Sequence, residues 1–367
     1  MQTDVAIWAA LALLLAGLLL FTGTVLRART DAAREAGLRR ARLRRRRPAR
    51  GQFRPEGAVA EPRPLKRAAV IVNPMKFADV AVVHDELSLL CLDAGWDEPI
   101  WAETTVAEPG TTQAAAAAAA GASVVCALGG DGTVRAVAAA LAGTDTPMGL
   151  LPAGTGNLLA RNLDLPVDRL DEALRVALTG QNKRVDVGRI SVHPLSPEMA
   201  KDHIFLVMAG LGFDAAVMAG APERLKSSVG WLAYTVSGVQ NLRGTQFKVR
   251  IAADDDAEFS RRVRTVVIGN CGRLQGGLVL MPEADLDDGW LDAVVLSPKG
   301  VAGWMAVGAR LVSQRRRGHE RVEHLRFRKI TVRVDEPCEV QIDGDNVGAA
   351  VLLEAQVDPL ALVVRVG

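Results

Sequence analysis

The chain is poor in the residues that staple or cage small proteins. Its four cysteines, Cys91, Cys126, Cys271 and Cys338, are far apart, and none sits in a C-x-x-C pair or at a Cys/His spacing. That distribution excludes a disulfide framework and a structural zinc site, and predicts buried, reduced thiols. The five histidines have no ligand spacing either. Aromatic residues make up only 4% of the chain, with a single tyrosine, Tyr234. A core built mainly from rings is thereby ruled out. Hydrophobic residues still reach 49% of 367, which gives ample core and room for two domains.

Net positive charge is confined to one segment. The net charge of +2 divides into −1 over residues 1–26, +9 over residues 27–50 and −6 over the rest. An acidic body therefore trails a basic arm. Residues 5–26 form a 22-residue stretch without a charge, with Trp8 near one end. A helix of about 20 apolar residues spans a bilayer core. Arg27 and Arg29 flank its C-terminal side, which the positive-inside rule places in the cytoplasm. A cleavable signal peptide needs a positive segment before its apolar core, and none exists here. The expectation is a single-pass cell-membrane anchor over 1–26 with a cytoplasmic body. Arg39, Arg40, Arg42 and Arg44 to Arg47 are then expected to lie against anionic headgroups. An adjacent span argues against nucleic acid as their partner. Residues 27–66 as a whole read as basic arm and linker, with Pro- and Gly-rich sequence from Pro48 to Pro64.

Glycine is where the sequence becomes specific. Gly129-Gly130-Asp131-Gly132-Thr133 follows a run of strand formers and opens a predicted helix. Such a turn is a phosphate site, because glycine admits the anion and the helix start offers unpaired N–H groups. Asp131 inside it calls for a cation or a polar network. A structural turn would use the same glycines. Some twenty residues on, Pro152-Ala153-Gly154-Thr155-Gly156-Asn157 repeats the strand-to-loop pattern. Thr155 and Asn157 bring a hydroxyl and an amide suited to ribose or phosphate. Two consecutive units of this kind put both loops at the carboxyl edge of one parallel sheet.

Around these loops the pattern alternates strand and helix from Arg67 to Leu151, the mark of a parallel sheet with helical crossovers. Strands are predicted at 67–72 and 100–105, and helices at 80–94 and 113–120. After Gly180 shorter alternating strands predict an antiparallel sandwich: near 184–188, at 203–208, 246–251, 265–270, 291–296, 329–334 and 339–342. Helices are expected to interrupt it at 223–242 and 300–316. The fold class is thus an α/β nucleotide-binding domain with a parallel sheet (67–187), a β-rich antiparallel sandwich domain (188–349), and an N-terminal transmembrane helix. Strand pieces at 350–366 are expected to return to the first domain.

The chain resembles the diacylglycerol kinase catalytic family, which includes bacterial lipid kinases and sphingosine kinases. The matching residues are Val72-Asn73-Pro74, the 129–133 and 152–157 loops, Ala209 to Asp214, Gly269-Asn270, Asp288-Gly289 and Asp343-Gly344-Asp345. They cover roughly 67–367. The resemblance implies an ATP-dependent kinase that phosphorylates a lipid hydroxyl, diacylglycerol foremost, in a cleft between the two domains. It places ATP on Asn73, Gly129 to Thr133 with Val134 and Arg135, Thr155 and Asn157, and its adenosine part near Thr105. It implies a structural Mg²⁺ held by the Asp288 side chain and the backbone carbonyls of Asp285 and Trp290, with a second Mg²⁺ travelling with ATP. It gives Asp343 and Asp345 as candidate bases, and Asp343 is favoured.

The sequence departs from the family at three points. Met75-Lys76-Phe77 stands where Ser or Gly is usual, Arg135-Ala136 where Asn-Glu is common, and Asp345 where Glu is usual. Two other functions stay open: an NAD kinase-like phosphotransferase, and an inactive membrane lipid-binding protein. A homodimer is also left open.

Overall fold

The structure, a computed structural model, describes residues 66–196, 199–212, 246–274, 279–297 and 322–367. The expected anchor, the arginine arm and the helices expected at 223–242 and 300–316 lie outside these residues. No helix among the described residues is long and apolar enough to cross a membrane.

Four strands, β1 (Ala68–Val72), β2 (Ile100–Glu103), β3 (Val124–Gly129) and β4 (Met148–Pro152), lie in the order β2-β1-β3-β4 and pair in parallel. Every residue of β1, β3 and β4 is buried. A parallel sheet covered on both faces requires such unbroken apolar runs. The two-residue period decides which core each side chain joins. Ala69, Ile71, Val125, Ala127 and Leu150 enter one core, and Val70, Val72, Cys126, Leu128 and Leu151 the other. Helices α2 (Thr111–Ala119), α3 (Asp131–Leu141) and α4 (Leu158–Asn162) cover the first face. Helices α1 (Val80–Asp93) and α5 (Leu170–Thr179) cover the second. Asp79 caps α1 by accepting the Ala81 N–H at 2.9 Å.

The second half is antiparallel. It comprises β5 (Gln181–His193), β6 (Lys201–Phe205), β7 (Met208–Leu211), β8 (Phe247–Ala253), β9 (Phe259–Val263), β10 (Thr265–Gly269), β11 (Leu291–Leu296), β12 (Val322–Phe327), β13 (Lys329–Ile342) and β14 (Asp345–Val366). Phe205, Val249, Ile251, Phe327, Val340 and Leu353 are among the side chains of its separate core. The two halves are not detached layers. The path β12-β11-β10-β7-β13-β14-β4-β3-β1-β2 is one mixed sheet, with β5–β6 branching from β14 and β8–β9 from β13. β14 pairs antiparallel with β13 and β5, and its end reaches β4 in parallel through Val364 and Met148.

Three differences from the sequence pattern have physical causes. The strand expected over 203–208 is two, β6 and β7. Between them the N–H groups of Leu206, Val207 and Met208 turn to the Asp343 carboxylate instead of a ladder. The strands expected at 329–334 and 339–342 are the single β13, with a register shift between Arg333 and Cys338. The last pieces are likewise one strand, β14, shifted between Asp358 and Leu362, where Leu360 takes a positive φ of 52°. Such bulges bend a strand without ending it.

Candidate active site

All four parallel strands deliver a loop to the same edge. After β1, Asn73 caps a single 3-10 turn, Pro74–Lys76. Its Oδ1 accepts the Met75 N–H at 3.1 Å, and its Nδ2 donates to Thr133 Oγ1 at 3.5 Å. After β2, Thr105 Oγ1 accepts the Glu108 N–H at 3.0 Å. After β3, Gly130 stands at the N-cap of α3, so no side chain closes that helix start. Its N–H groups and its dipole face the edge.

Asp131 interlocks the two glycine loops. Its Oδ2 accepts the Asn157 N–H at 2.9 Å and its Oδ1 the Leu158 N–H at 2.7 Å. Burial pushes its pKa up, and these two N–H groups counter part of that push. The polar network that its position demanded is therefore the neighbouring loop. Asn157 serves the loop from inside. Its Oδ1 accepts the Gly154 N–H at 3.0 Å, and its Nδ2 donates to the Gly154 carbonyl at 2.7 Å. A β-carbon at Gly154 would lie 2.7 Å from the Gly130 α-carbon, so only glycine lets the loops touch. Thr133 and Val134 are buried, and the Val134 N–H is bonded to the Gly130 carbonyl at 3.0 Å. Thr155 lies exposed on the second loop. The structure thus gathers Asn73, Gly129 to Arg135, Thr155 and Asn157 at one edge, with Thr105 on the adjoining β2 loop.

The β-rich half brings in the turn between β13 and β14. Asp343 and Gly344 both have positive φ, 47° and 91°, a two-residue hairpin turn that suits Asp-Gly. The two acids on this turn differ sharply. Asp343 is buried. Its Oδ2 accepts the Leu206 N–H at 3.0 Å, and its Oδ1 accepts those of Val207 at 2.9 Å and Met208 at 3.0 Å. Burial pushes its pKa up to about 6 against those three donors and Arg135. Asp345 is half exposed and faces α3. Its Oδ2 receives Arg135 Nη2 at 2.6 Å and lies 3.0 Å from where a β-carbon on Gly132 would be. Arg135 Nη1 also donates to the Ile342 carbonyl. It is Asp345, then, that the fold carries to the glycine loop, whereas Asp343 organises the β6–β7 junction.

The Asp285–Trp290 turn lies beside buried Asp186. Asp186 accepts the N–H groups of Gly289 and Leu360, each at 2.7 Å. Asp285 Oδ1 accepts the Leu286 N–H at 2.8 Å. Asp288 Oδ1 accepts the Trp290 N–H at 2.9 Å, and its Oδ2 pairs with Arg326 at 2.6 Å. Burial raises the Asp288 pKa, and nearby Asp186 and Asp285 add to the rise. Negative charge of the kind a divalent ion seeks is present. As the turn stands, however, the Arg326 guanidinium answers Asp288, and among the described residues no three acidic, His or Cys side chains converge. A Mg²⁺ held here would have to displace Arg326. The set does not fit the ion without that move.

Sequence reasoning missed three residues. Asp186 sat unremarked between Val185 and Val187, yet an acid among buried residues signals N–H partners. Asn270 was read only as a motif residue. Its Nδ2 ties the Asp186 carbonyl at 2.8 Å to that of Leu206 at 3.2 Å. Lys76 was read only as part of a departure from the family, but its side chain reaches the Gly130 loop.

The sequence matches the diacylglycerol kinase catalytic domain over residues 67–190. It matches the YegS C-terminal NAD kinase beta sandwich-like domain over residues 207–366. The chain carries a diacylglycerol kinase catalytic domain. Its enzymatic class is that of a lipid kinase. A diacylglycerol kinase of Bacillus subtilis (strain 168) is 25% identical over 289 residues, 77% of this chain and 91% of that protein. One from Mycobacterium tuberculosis (strain H37Rv) is 34% identical over 179 residues, 48% of this chain and 56% of that protein. The crystal structure of a diacylglycerol kinase from Bacillus anthracis str. Sterne superposes with a TM-score of 0.60. The match covers 83% of this chain and 97% of that one at 19% identity, a likeness of fold.

Proposed function

We propose that this lipid kinase transfers the γ-phosphoryl group of ATP to the free hydroxyl of diacylglycerol, yielding phosphatidic acid. One observation carries the reading. Asp345, from one half of the molecule, stands at the uncapped start of α3, from the other. Phosphates resting on the α3 N–H groups and the Gly130–Gly154 loop pair present the γ-phosphorus toward that carboxylate. Asp345 accepts the hydroxyl proton as the lipid oxygen attacks in line, and the bridging oxygen leaves with ADP. Arg135 holds Asp345 in place at that helix start. Mg²⁺ enters with ATP as part of the substrate and neutralises charge on the phosphates. The favoured base is therefore Asp345, in place of the Asp343 preferred on sequence. The diacylglycerol assignment is supported by the names of the relatives. The basic arm and the apolar segment before it would keep the body at the membrane that holds this acceptor.

The test is a transfer assay with γ-labelled ATP and the full chain in mixed micelles containing diacylglycerol, a monoacylglycerol or a sphingoid base. NAD is offered in a parallel reaction. Label in phosphatidic acid supports the reading. Label in NADP alone replaces it with a dinucleotide kinase. ATP binding without transfer to any acceptor replaces it with an inactive lipid-binding protein.

A further inference from the structure

We infer that Lys76 grips the nucleotide's polyphosphate and makes the site selective for the number of phosphates. The inference rests on the kinase reading above and adds a residue that this reading does not use. Lys76 ends the 3-10 turn after β1. That turn is held from three sides. The Lys76 N–H donates to the Asn73 carbonyl at 3.2 Å, and the Phe77 N–H to that of Pro74 at 3.2 Å. The Asn73 side chain spans from the turn to Thr133 in α3. The turn and the glycine loop are thus fixed to each other, and the lysine is aimed accordingly. A β-carbon on Gly130 would lie 3.7 Å from Lys76 Cε and 4.0 Å from Nζ. The ammonium therefore hangs over the space that a phosphate on the α3 start would fill.

The other charges at this edge are already committed. Asp131 is held by two backbone N–H groups. Arg135 and Asp345 hold each other. Among the described residues no carboxylate pairs with Lys76, and the side chain is exposed. An unpaired ammonium beside a row of helix-start N–H groups leaves an excess of positive charge facing one small volume. Lysine serves as a compact point charge with three donors, which suits a chain of phosphates that presents oxygens in several directions. The ligand class is a nucleoside triphosphate, with the diphosphate held less well and the monophosphate out of reach.

The experiment is equilibrium binding to the full-length protein of a non-hydrolysable ATP analogue, ADP and AMP, at low and high salt. Wild type is compared with Lys76→Ala and Lys76→Arg. Lys76→Ala is expected to weaken the triphosphate analogue about tenfold, or about 1.4 kcal/mol. AMP binding should stay within about twofold by the same relation, and Lys76→Arg should recover most of the loss. The salt dependence of analogue binding should flatten in Lys76→Ala, since a screened charge contact is gone. Melting temperature should not move, because the side chain is exposed. Equal analogue affinity in wild type and Lys76→Ala overturns the inference. So does an equal loss for AMP and the analogue, which would assign the residue to the shape of the turn. If labelled lipid forms normally while Lys76→Ala binds like wild type, only this inference falls. If wild type binds no nucleotide, it falls together with the kinase reading.

Discussion

Replacing each acid of the β13–β14 turn by its amide should separate stability from chemistry. In Asp343→Asn the three N–H groups of Leu206, Val207 and Met208 meet one oxygen instead of two. If the remaining oxygen keeps Val207 and Met208, the Leu206 N–H faces an NH₂ group. One buried donor left unpaired costs about 1–3 kcal/mol. At roughly 2 °C per kcal/mol for a body of this size, the loss is about 2–6 °C in melting temperature. The pH dependence has a definite sign. Asp343 titrates at about 6 in the fold, above its ordinary 3.8. A group raised in this way contributes stability below the unfolded value and loses it as pH rises through the folded one. Wild type should therefore exceed Asp343→Asn most clearly below about pH 3.8, with the gap closing as pH rises from there to about 6 and staying flat beyond it. Asp345→Asn should behave oppositely. Its partner contact with Arg135 is half exposed, so the loss is about 0–1 kcal/mol. Turnover should fall about 10²–10⁴-fold, the usual share of general-base catalysis. The assay is thermal unfolding from pH 4 to 8 beside kcat on micellar diacylglycerol. Wild-type turnover in Asp345→Asn, or a hundredfold loss in Asp343→Asn with unchanged melting, would refute the division of labour.

Other perturbations probe the loops and the acidic turn. Asp131→Ala leaves the Asn157 and Leu158 N–H groups without their acceptor; it should cost about 2–4 kcal/mol and weaken ATP binding, checked by denaturant unfolding and titration. Gly130→Ala meets only ordinary contacts, 3.6 Å or more, so it should fold normally and lose only nucleotide affinity. Gly154→Ala drives a β-carbon to 2.7 Å from Gly130 backbone. It should lower the melting temperature as well, and equal melting in the two variants would undercut the loop-to-loop contact. Arg326→Gln uncovers Asp288. Without nucleotide, millimolar Mg²⁺ should stabilise this variant and leave wild type unchanged in a thermal-shift titration.

The nucleotide loops were legible because each is contiguous. Gly129 to Thr133 and Pro152 to Asn157 carry their turn chemistry within a few residues, and the flanking apolar runs give their direction. What escaped is contact across distance. Asp131 finds its partners 26 and 27 residues away, Asp343 at 135 to 137, and Arg135 meets Asp345 across 210. No local period announces such pairs. The favoured base shifted to the second acid because sequence shows two acids at a turn, and only the fold shows that one faces inward to three amides. β9 and β12 were missed because charged residues such as Arg261, Arg262 and Arg326 hide their alternation. The arginine after the glycine loop read as a departure, yet its reach to the opposite half gives it a role.

β14 has a mechanical consequence. Its 22 residues begin at Asp345 and end two positions past the Val364–Met148 pair with β4. One strand therefore starts at the proposed proton acceptor and finishes alongside the strand that launches the second glycine loop. A flexible linker would let the two halves drift apart; a continuous strand behaves as a stiff rod, and relative movement becomes torsion along it. The rod is irregular at Leu360, whose N–H the buried Asp186 carboxylate clamps. Asp186 also clamps Gly289 in the acidic turn. Asp186 thereby ties the acidic turn to the irregular point of the strand that joins the two halves.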